Sequence, residues 1–288
     1  MKKNKVLKNQ VYINNYLKKV ELNEKTALCT VILSISDVCN LKCWCCPRGH
    51  GYVHPENLPN FMSLDTVRLL CKQLGKDFCG RFSVSGLGEP TLHPQFEEIL
   101  YILNEMCPKS YIILITNGKK LSNEIINIPF LRHVEISVYN KKAEDAFTLK
   151  YQDKNYFKER KLTMRPEYEG NLSNPVNNRA GNVFEVSPEQ VPDAVCYMPF
   201  YQVTVDTDGT IHHCSCDWKR EDTVGNIYEK NIYDIYINDF RNIREKQLNH
   251  DRKSLKLCSR CNGSGNIAQE FKNFWKQYYE EHPLEVKQ

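Results

Sequence analysis

The sequence predicts an α/β fold built on a parallel sheet, followed by a small unit made of a β-hairpin and helices. Two observations carry this. From Cys29 onward, short β-rich runs alternate with amphipathic helical stretches, the rhythm of βα units. After Arg165 the rhythm stops. A stretch rich in Pro, Asn and Gly runs to Ala194, too long for a plain connection in a compact domain, so it reads as functional or as a domain seam.

The elements follow in order. Thr30-Val31-Ile32-Leu33-Ser34-Ile35 is a buried first strand. Ser63 caps a helix whose apolar positions are Val67, Leu70, Cys71 and Leu74, and Gly75 stops it. Phe82-Ser83-Val84 is the second strand, and the next helix carries Phe96, Ile99, Leu100 and Leu103 on one face. Tyr111 to Ile115 and Val134 to Val138 are the third and fourth strands, with a short helix between them, and Lys161 to Met164 is a fifth. Beyond the break, Gln202-Val203-Thr204-Val205 and Gly209-Thr210-Ile211 flank Asp208-Gly209, a hairpin signal. Two amphipathic helices close the chain, one through Ile232, Ile235, Tyr236, Phe240 and Ile243, the other through Ile267, Phe271, Phe274, Trp275 and Tyr278.

Composition narrows the class. A net charge of +4, from 39 basic and 35 acidic residues, implies no polyanion partner, so no nucleic acid is expected. Lys2, Lys3, Lys5, Lys8, Lys18 and Lys19 read as a solvated edge. Asn14 and Asn15 interrupt any secretory apolar stretch, and no apolar run reaches membrane-spanning length. The expectation is a cytoplasmic protein with no membrane partner. Thirteen cysteines are an odd number for a disulfide framework, and in a reducing compartment they point to metal. Cys29, Cys71, Cys79 and Cys107 stand alone among apolar neighbours and read as small buried hydrophobes.

Cys39, Cys43, Cys45 and Cys46 follow directly on the first strand. A cubane [4Fe–4S] cluster takes thiolate ligands. Three thiolates in one loop leave the fourth iron open to chelate an amino acid. By spacing alone, Cys45 could join another ligand set, and a structural zinc knuckle stays open. After the second strand comes Ser85-Gly86-Leu87-Gly88-Glu89-Pro90, and Thr116-Asn117-Gly118 closes the third strand.

With these motifs the chain resembles the radical S-adenosylmethionine (SAM) superfamily over roughly residues 28–265. The resemblance implies a partial (β/α)6 TIM-like barrel with its chemistry at the C-terminal ends of the strands. It implies Cys39, Cys43 and Cys46 as ligands of a SAM-binding [4Fe–4S] cluster. Gly88 and Glu89 would receive the SAM amino group, with Leu87 where the family often has a first glycine. Asn117, Ser137 and Arg165 would complete the SAM site, Ser137 at the ribose and Arg165 at the SAM carboxylate or an anionic substrate group.

Cys196, Cys214, Cys258 and Cys261 resemble the ligand set of SPASM/twitch auxiliary domains in their one-cluster form, so they would hold one auxiliary [4Fe–4S] cluster with no open iron. A zinc site is the alternative for this set, with His212 and His213 beside Cys214. Cys216 is left over as a ligand, a hydrogen-atom donor or a buried thiol; it and Arg165 are the catalytic candidates. Asn178-Arg179-Ala180-Gly181-Asn182 resembles a stretch common in SPASM-type proteins and reads as structural. The implied division is residues 1–28 as an N-terminal extension, 29–165 as the core and 166–195 as a connecting segment. Residues 196–265 form the auxiliary domain and 266–288 the C-terminal helix.

The layout resembles radical SAM dehydrogenases of the 2-deoxy-scyllo-inosamine type. That implies two-electron oxidation of a sugar- or cyclitol-like alcohol, with the auxiliary cluster accepting an electron. The alternatives are maturation of a ribosomally made peptide and, in another class, a zinc-binding interaction protein. The substrate would be a small molecule or a peptide, and the reductant a flavodoxin- or ferredoxin-type electron donor.

Overall fold

A computed structural model describes residues 4–152, 155–159, 161–168, 177–263 and 269–283, with side chains from Val11 onward. Ile267, Lys2 and Lys3 lie outside the described residues, as does part of the segment after Arg165. The chain begins with α1 (Asn4–Leu17) and runs on through β1 (Thr30–Ser34), α2 (Leu64–Leu74), β2 (Arg81–Ser85), α3 (Phe96–Met106) and β3 (Tyr111–Thr116). Next come α4 (Asn123–Ile126), β4 (Leu131–Val138), α5 (Lys141–Tyr151) and β5 (Leu162–Pro166). The second half holds α6 (Met198–Tyr201), β6 (Gln202–Val205), β7 (Thr210–His212), β8 (Thr223–Asn226), α7 (Ile232–Asp234), α8 (Arg241–Leu248) and α9 (Gln269–Glu281).

The strands form one open sheet in the order β5-β4-β3-β2-β1-β6-β7-β8. From β5 to β6 the pairing is parallel; β7 and β8 add antiparallel. The sixth parallel strand therefore lies beside β1, on the opposite side of the sheet from β5. The predicted hairpin forms, Val205 opposite Ile211, and its first strand adds to the core sheet through Thr30 opposite Gln202 and Leu33 opposite Val205. The hairpin that leads to Cys214 and the strand that leads to Cys39 are thus neighbours in one sheet.

Local signals match their elements. The Ser63 hydroxyl accepts from Thr66 N, and Gly75, at φ 80°, closes α2. The five residues of β1 read without alternation because both faces of the strand are covered: four of the five are buried, Val31 and Leu33 fully. Two elements differ from the sequence reading. Residues 1–28 are more than an extension: α1 buries Ile13 and Tyr16 in the main core, and the Tyr12 hydroxyl donates to Cys29 O at 3.1 Å. Lys18 and Lys19 are exposed, as expected. The first closing helix is broken, with a π-turn at Ile235–Asp239 between α7 and α8.

Candidate active site and cluster loops

Every predicted SAM-site residue lies at the C-terminal end of a parallel strand, where the sheet presents loops to a common edge. Cys39, Cys43 and Cys46 follow β1. Gly88 is packed so closely that a Cβ there would sit 2.4 Å from Ser36 O and 2.6 Å from Val38 O. The observed role of this glycine is therefore to let the β2 loop lie on the strand exit that leads into the cysteines. Gly49 does the same from the other side, since a Cβ there would meet Cys43 O at 2.3 Å. The backbone bond from Cys46 N to Cys43 O, 3.1 Å, tightens the loop between these two cysteines.

Glu89 ties three strand ends together. Its backbone N–H donates to Val38 O at 2.8 Å. Its Oε1 accepts from the hydroxyls of Thr91 and Thr116, at 2.6 and 2.5 Å, and Oε2 accepts from Asn117 N at 2.7 Å. Asn117 in turn donates through Nδ2 to Asn40 Oδ1 at 2.7 Å, inside the cysteine loop. Oε2, with a single recorded partner, is the corner of this carboxylate left to receive a further donor.

The thiols of the loop sense one another. Burial first, then Cys46 and Cys45, push the Cys43 thiol up to about 12. Cys39 and Cys46 are raised, chiefly by burial, with Cys39 acting on Cys46. Three thiolates cannot share this space without cationic charge between them, which the irons of a cluster supply. Tyr139, just past β4, is a residue the sequence reading missed. Burial raises its hydroxyl, with the Cys43 thiol adding to this and the Arg165 charge opposing it.

Arg165 is committed. Its Nη2 donates to Ser137 Oγ at 2.6 Å, Nη1 lies 3.0 Å from Glu135 Oε1, and Nε lies 3.1 Å from Glu167 Oε1. With two carboxylates against one guanidinium, the position offers no surplus positive charge. That weighs against Arg165 as an anion clamp and fits it to holding Ser137 and Glu167 in place.

The second cysteine set also gathers. Cys196 and Cys261 both act electrostatically on Cys214 and on Cys258. Burial raises the Cys261 thiol to about 11. Backbone N–H groups point at two of the sulfurs, Cys216 N at Cys214 Sγ (3.4 Å) and Gly263 N at Cys261 Sγ (3.3 Å), as thiolate ligands require. Cys216 is 6% exposed. Its thiol is pulled down to about 7 by its hydrogen bond with Cys214 and by the Arg179 guanidinium, against its burial. His212 and His213 are both buried and are held by acids, His212 by Asp217 at 3.1 Å and His213 within 3.9 Å of Asp222.

Arg179 is the other residue the sequence reading did not single out. Despite its desolvation it stays charged, through Cys216, Glu167, Cys45 and Cys46, so its charge is felt by thiols of both loops. Its φ of 52° and that of Ala180, 54°, are left-handed, a conformation that costs non-glycine residues energy and recurs at functional sites. Asn178 pays for it structurally, as expected of that motif: it exchanges bonds with Asn262 at 2.8 and 3.2 Å and donates to Arg260 O at 2.8 Å. The scaffolding role belongs to Asn178, and Arg179 is what the scaffold presents.

Comparison with known proteins assigns the class. Residues 33–138 match the radical SAM superfamily, and residues 196–262 match the SPASM iron–sulfur cluster-binding domain. The chain is a radical SAM enzyme with a SAM-binding [4Fe–4S] cluster and an auxiliary iron–sulfur domain. The zinc alternatives give way to this, since each cysteine set falls in an iron–sulfur family.

The particular relatives narrow it. The S-adenosyl-L-methionine-dependent 2-deoxy-scyllo-inosamine dehydrogenase of Niallia circulans is 25% identical over 234 residues, which span 80% of this chain and 91% of that one. A GTP 3′,8-cyclase of Pasteurella multocida is 34% identical over 94 residues, only 27% of its length. Among solved structures, BtrN in complex with AdoMet and 2-DOIA aligns at a TM-score of 0.70 and 22% identity, covering 85% of this chain and 97% of that chain. That likeness shows the fold. No helix among the described residues is long and apolar enough to cross a membrane.

Proposed function

We propose that this chain is a radical SAM dehydrogenase acting on a cyclitol- or sugar-like secondary alcohol. The observation that carries the reading is the match to an aminocyclitol dehydrogenase over 91% of that enzyme's length, in a chain where the charge of Arg179 is felt by Cys216, Glu167, Cys45 and Cys46. Cys39, Cys43 and Cys46 would hold the cluster that binds SAM, and Cys196, Cys214, Cys258 and Cys261 the auxiliary one. The bound groups supply a 5′-deoxyadenosyl radical for hydrogen abstraction and an acceptor for the second electron.

The chain's own residues do the rest. Glu89 Oε2 receives the SAM ammonium, and Gly88 keeps the strand exits close enough for it to do so. Ser137 is held by Arg165 to meet the ribose. Arg179 donates to a substrate hydroxyl from between the loops, and as a guanidinium it cannot serve as the base. Glu167, whose carboxylate acts on both Arg179 and Cys45, is the group placed to take the hydroxyl proton. The reductant is a flavodoxin- or ferredoxin-type protein, and the setting cytoplasmic.

The test is anaerobic incubation with SAM, dithionite and 2-deoxy-scyllo-inosamine deuterated at its carbinol carbons. The reading predicts deuterium in 5′-deoxyadenosine and about one ketone per SAM cleaved. Unlabelled 5′-deoxyadenosine with no ketone, from this and related aminocyclitols, would overturn it.

A further inference from the structure

The auxiliary cysteines are not held alike. Cys214 and Cys261 receive backbone N–H groups from two residues downstream, which the local turns provide. Cys258 faces side chains instead: Gln247 and, farther off at 4.0 Å, His213 Nε2. Gln247, on α8, donates through Nε2 to Cys258 Sγ at 3.4 Å, and its Oε1 accepts the backbone N–H of Cys196 at 2.9 Å. Cys196 N can only donate, so the orientation of the carboxamide is fixed: oxygen to Cys196, nitrogen to Cys258. Gln247 is 1% exposed, and both ends of its amide are satisfied by backbone or sulfur of cluster cysteines. Burying an amide that finds no partner is costly, so the site is built for this pair.

The helix is anchored to hold it. Arg244, one turn earlier, donates through Nε to Pro199 O at 2.8 Å and through Nη1 to the Tyr279 hydroxyl at 3.1 Å. Its guanidinium lies 3.7 Å from the Trp275 ring centroid. Cys196 precedes α6 and Cys258 follows α8, and the Gln247 side chain connects the two.

We propose that Gln247 is a positioning residue that spans Cys196 and Cys258 and, by donating to the Cys258 thiolate, raises the reduction potential of the auxiliary cluster. This rests on the assignment of Cys196, Cys214, Cys258 and Cys261 as its ligands. An N–H···S bond stabilises the more negative sulfur of the reduced state, so it favours reduction. For an oxidation that must hand its second electron to this cluster, that is the useful direction.

The test is an EPR-monitored redox titration of the holoenzyme without substrate, the auxiliary signal being the one that persists in Cys43→Ala. Gln247→Leu removes donor and acceptor together. Gln247→Glu keeps the acceptor for Cys196 and sets a carboxylate against Cys258. The proposal predicts that the reduction equilibrium falls by about threefold to tenfold in the Leu variant, tenfold being about 59 mV for one electron, and at least as far in the Glu variant. Unchanged potentials in both variants, with iron and sulfide intact, would overturn it. So would loss of the auxiliary cluster in the Leu variant with a wild-type potential in the Glu variant, because Gln247 would then be a strut alone. About four irons per unmodified chain, where two cubanes need about eight, would instead overturn the ligand assignment.

Discussion

The Arg220 guanidinium lies 3.3 Å from the buried carboxylate of Asp37 and 2.8 Å from that of Asp206. Asp37 stands two residues before Cys39, and Arg220 belongs to the loop that begins at Cys214, so one side chain spans the approaches to both cysteine sets. Tyr52 joins the clasp, its hydroxyl donating to Asp37 Oδ2 at 2.7 Å and accepting from Arg220 Nη1 at 3.0 Å. Arg48 and His54 also pair with Asp37.

Arg220→Met leaves Asp206 with His212 and the Thr207 N–H, and Asp37 with Arg48, His54 and Tyr52. Removing one partner of a buried ion pair typically costs about 3–5 kcal/mol; with those partners remaining, the loss should fall at the low end. Urea unfolding should show it as a lower midpoint with an unchanged slope, and Arg220→Lys should recover part. Equal midpoints would mean that the clasp contributes nothing.

Acid should loosen the same clasp. Burial alone would raise the Asp206 carboxyl, but the His212 imidazole 3.6 Å away and the charge of Arg220 outweigh it and hold the group below the usual carboxylate range. A depressed folded pKa means that the stabilisation is complete above the unfolded value, about 3.9, and is lost as pH falls through the folded one. Unfolding free energy measured from pH 6 down to pH 3 should therefore drop more steeply for the wild type than for Asp206→Asn. Parallel curves would contradict this.

Gly88→Ala tests the packing of the strand exits. The added methyl would lie 2.4 Å from Ser36 O, and a backbone carbonyl cannot step aside as a flexible side chain can. The loop that carries Cys39 must shift, and the predicted result is loss of roughly half the iron, with the auxiliary EPR signal retained. Full iron content and normal SAM cleavage would show that the loop tolerates the move.

Arg179→Met removes a cation whose charge acts on Cys216, Cys45 and Cys46. Product formed per 5′-deoxyadenosine should fall about tenfold or more, since a misplaced substrate loses the geometry for abstraction, and Arg179→Lys should restore part of it. A wild-type ratio in the Met variant would place the substrate elsewhere.

What could be read from the sequence was local. Ser63 and Gly75 announce α2 because caps act within a turn, and the Cys39-x3-Cys43-x2-Cys46 spacing announces its chemistry because ligands of one loop are covalent neighbours. Asp208-Gly209 announced the hairpin for the same reason. It could not announce that β6 would pair with β1, since parallel partners far apart in the chain carry no register signal. Arg220 and Asp37 are 183 residues apart, and neither is unusual in its own neighbourhood. α1 did carry a signal, with Tyr12, Ile13, Tyr16 and Leu17 on one helical face, but the lysines around it draw attention to charge instead. Arg179 was hidden inside a motif whose asparagine has the scaffolding role. Only the left-handed turn separates the two, and a sequence does not display φ.

The account stands on Cys39, Cys43 and Cys46, and 5′-deoxyadenosine formation tests them most directly. Anaerobically prepared protein, given SAM and dithionite, should release 5′-deoxyadenosine. Cys43→Ala should release none while keeping about half of the iron. A Cys43→Ala protein that still makes 5′-deoxyadenosine, or a colourless wild type carrying zinc and no iron, would contradict the account.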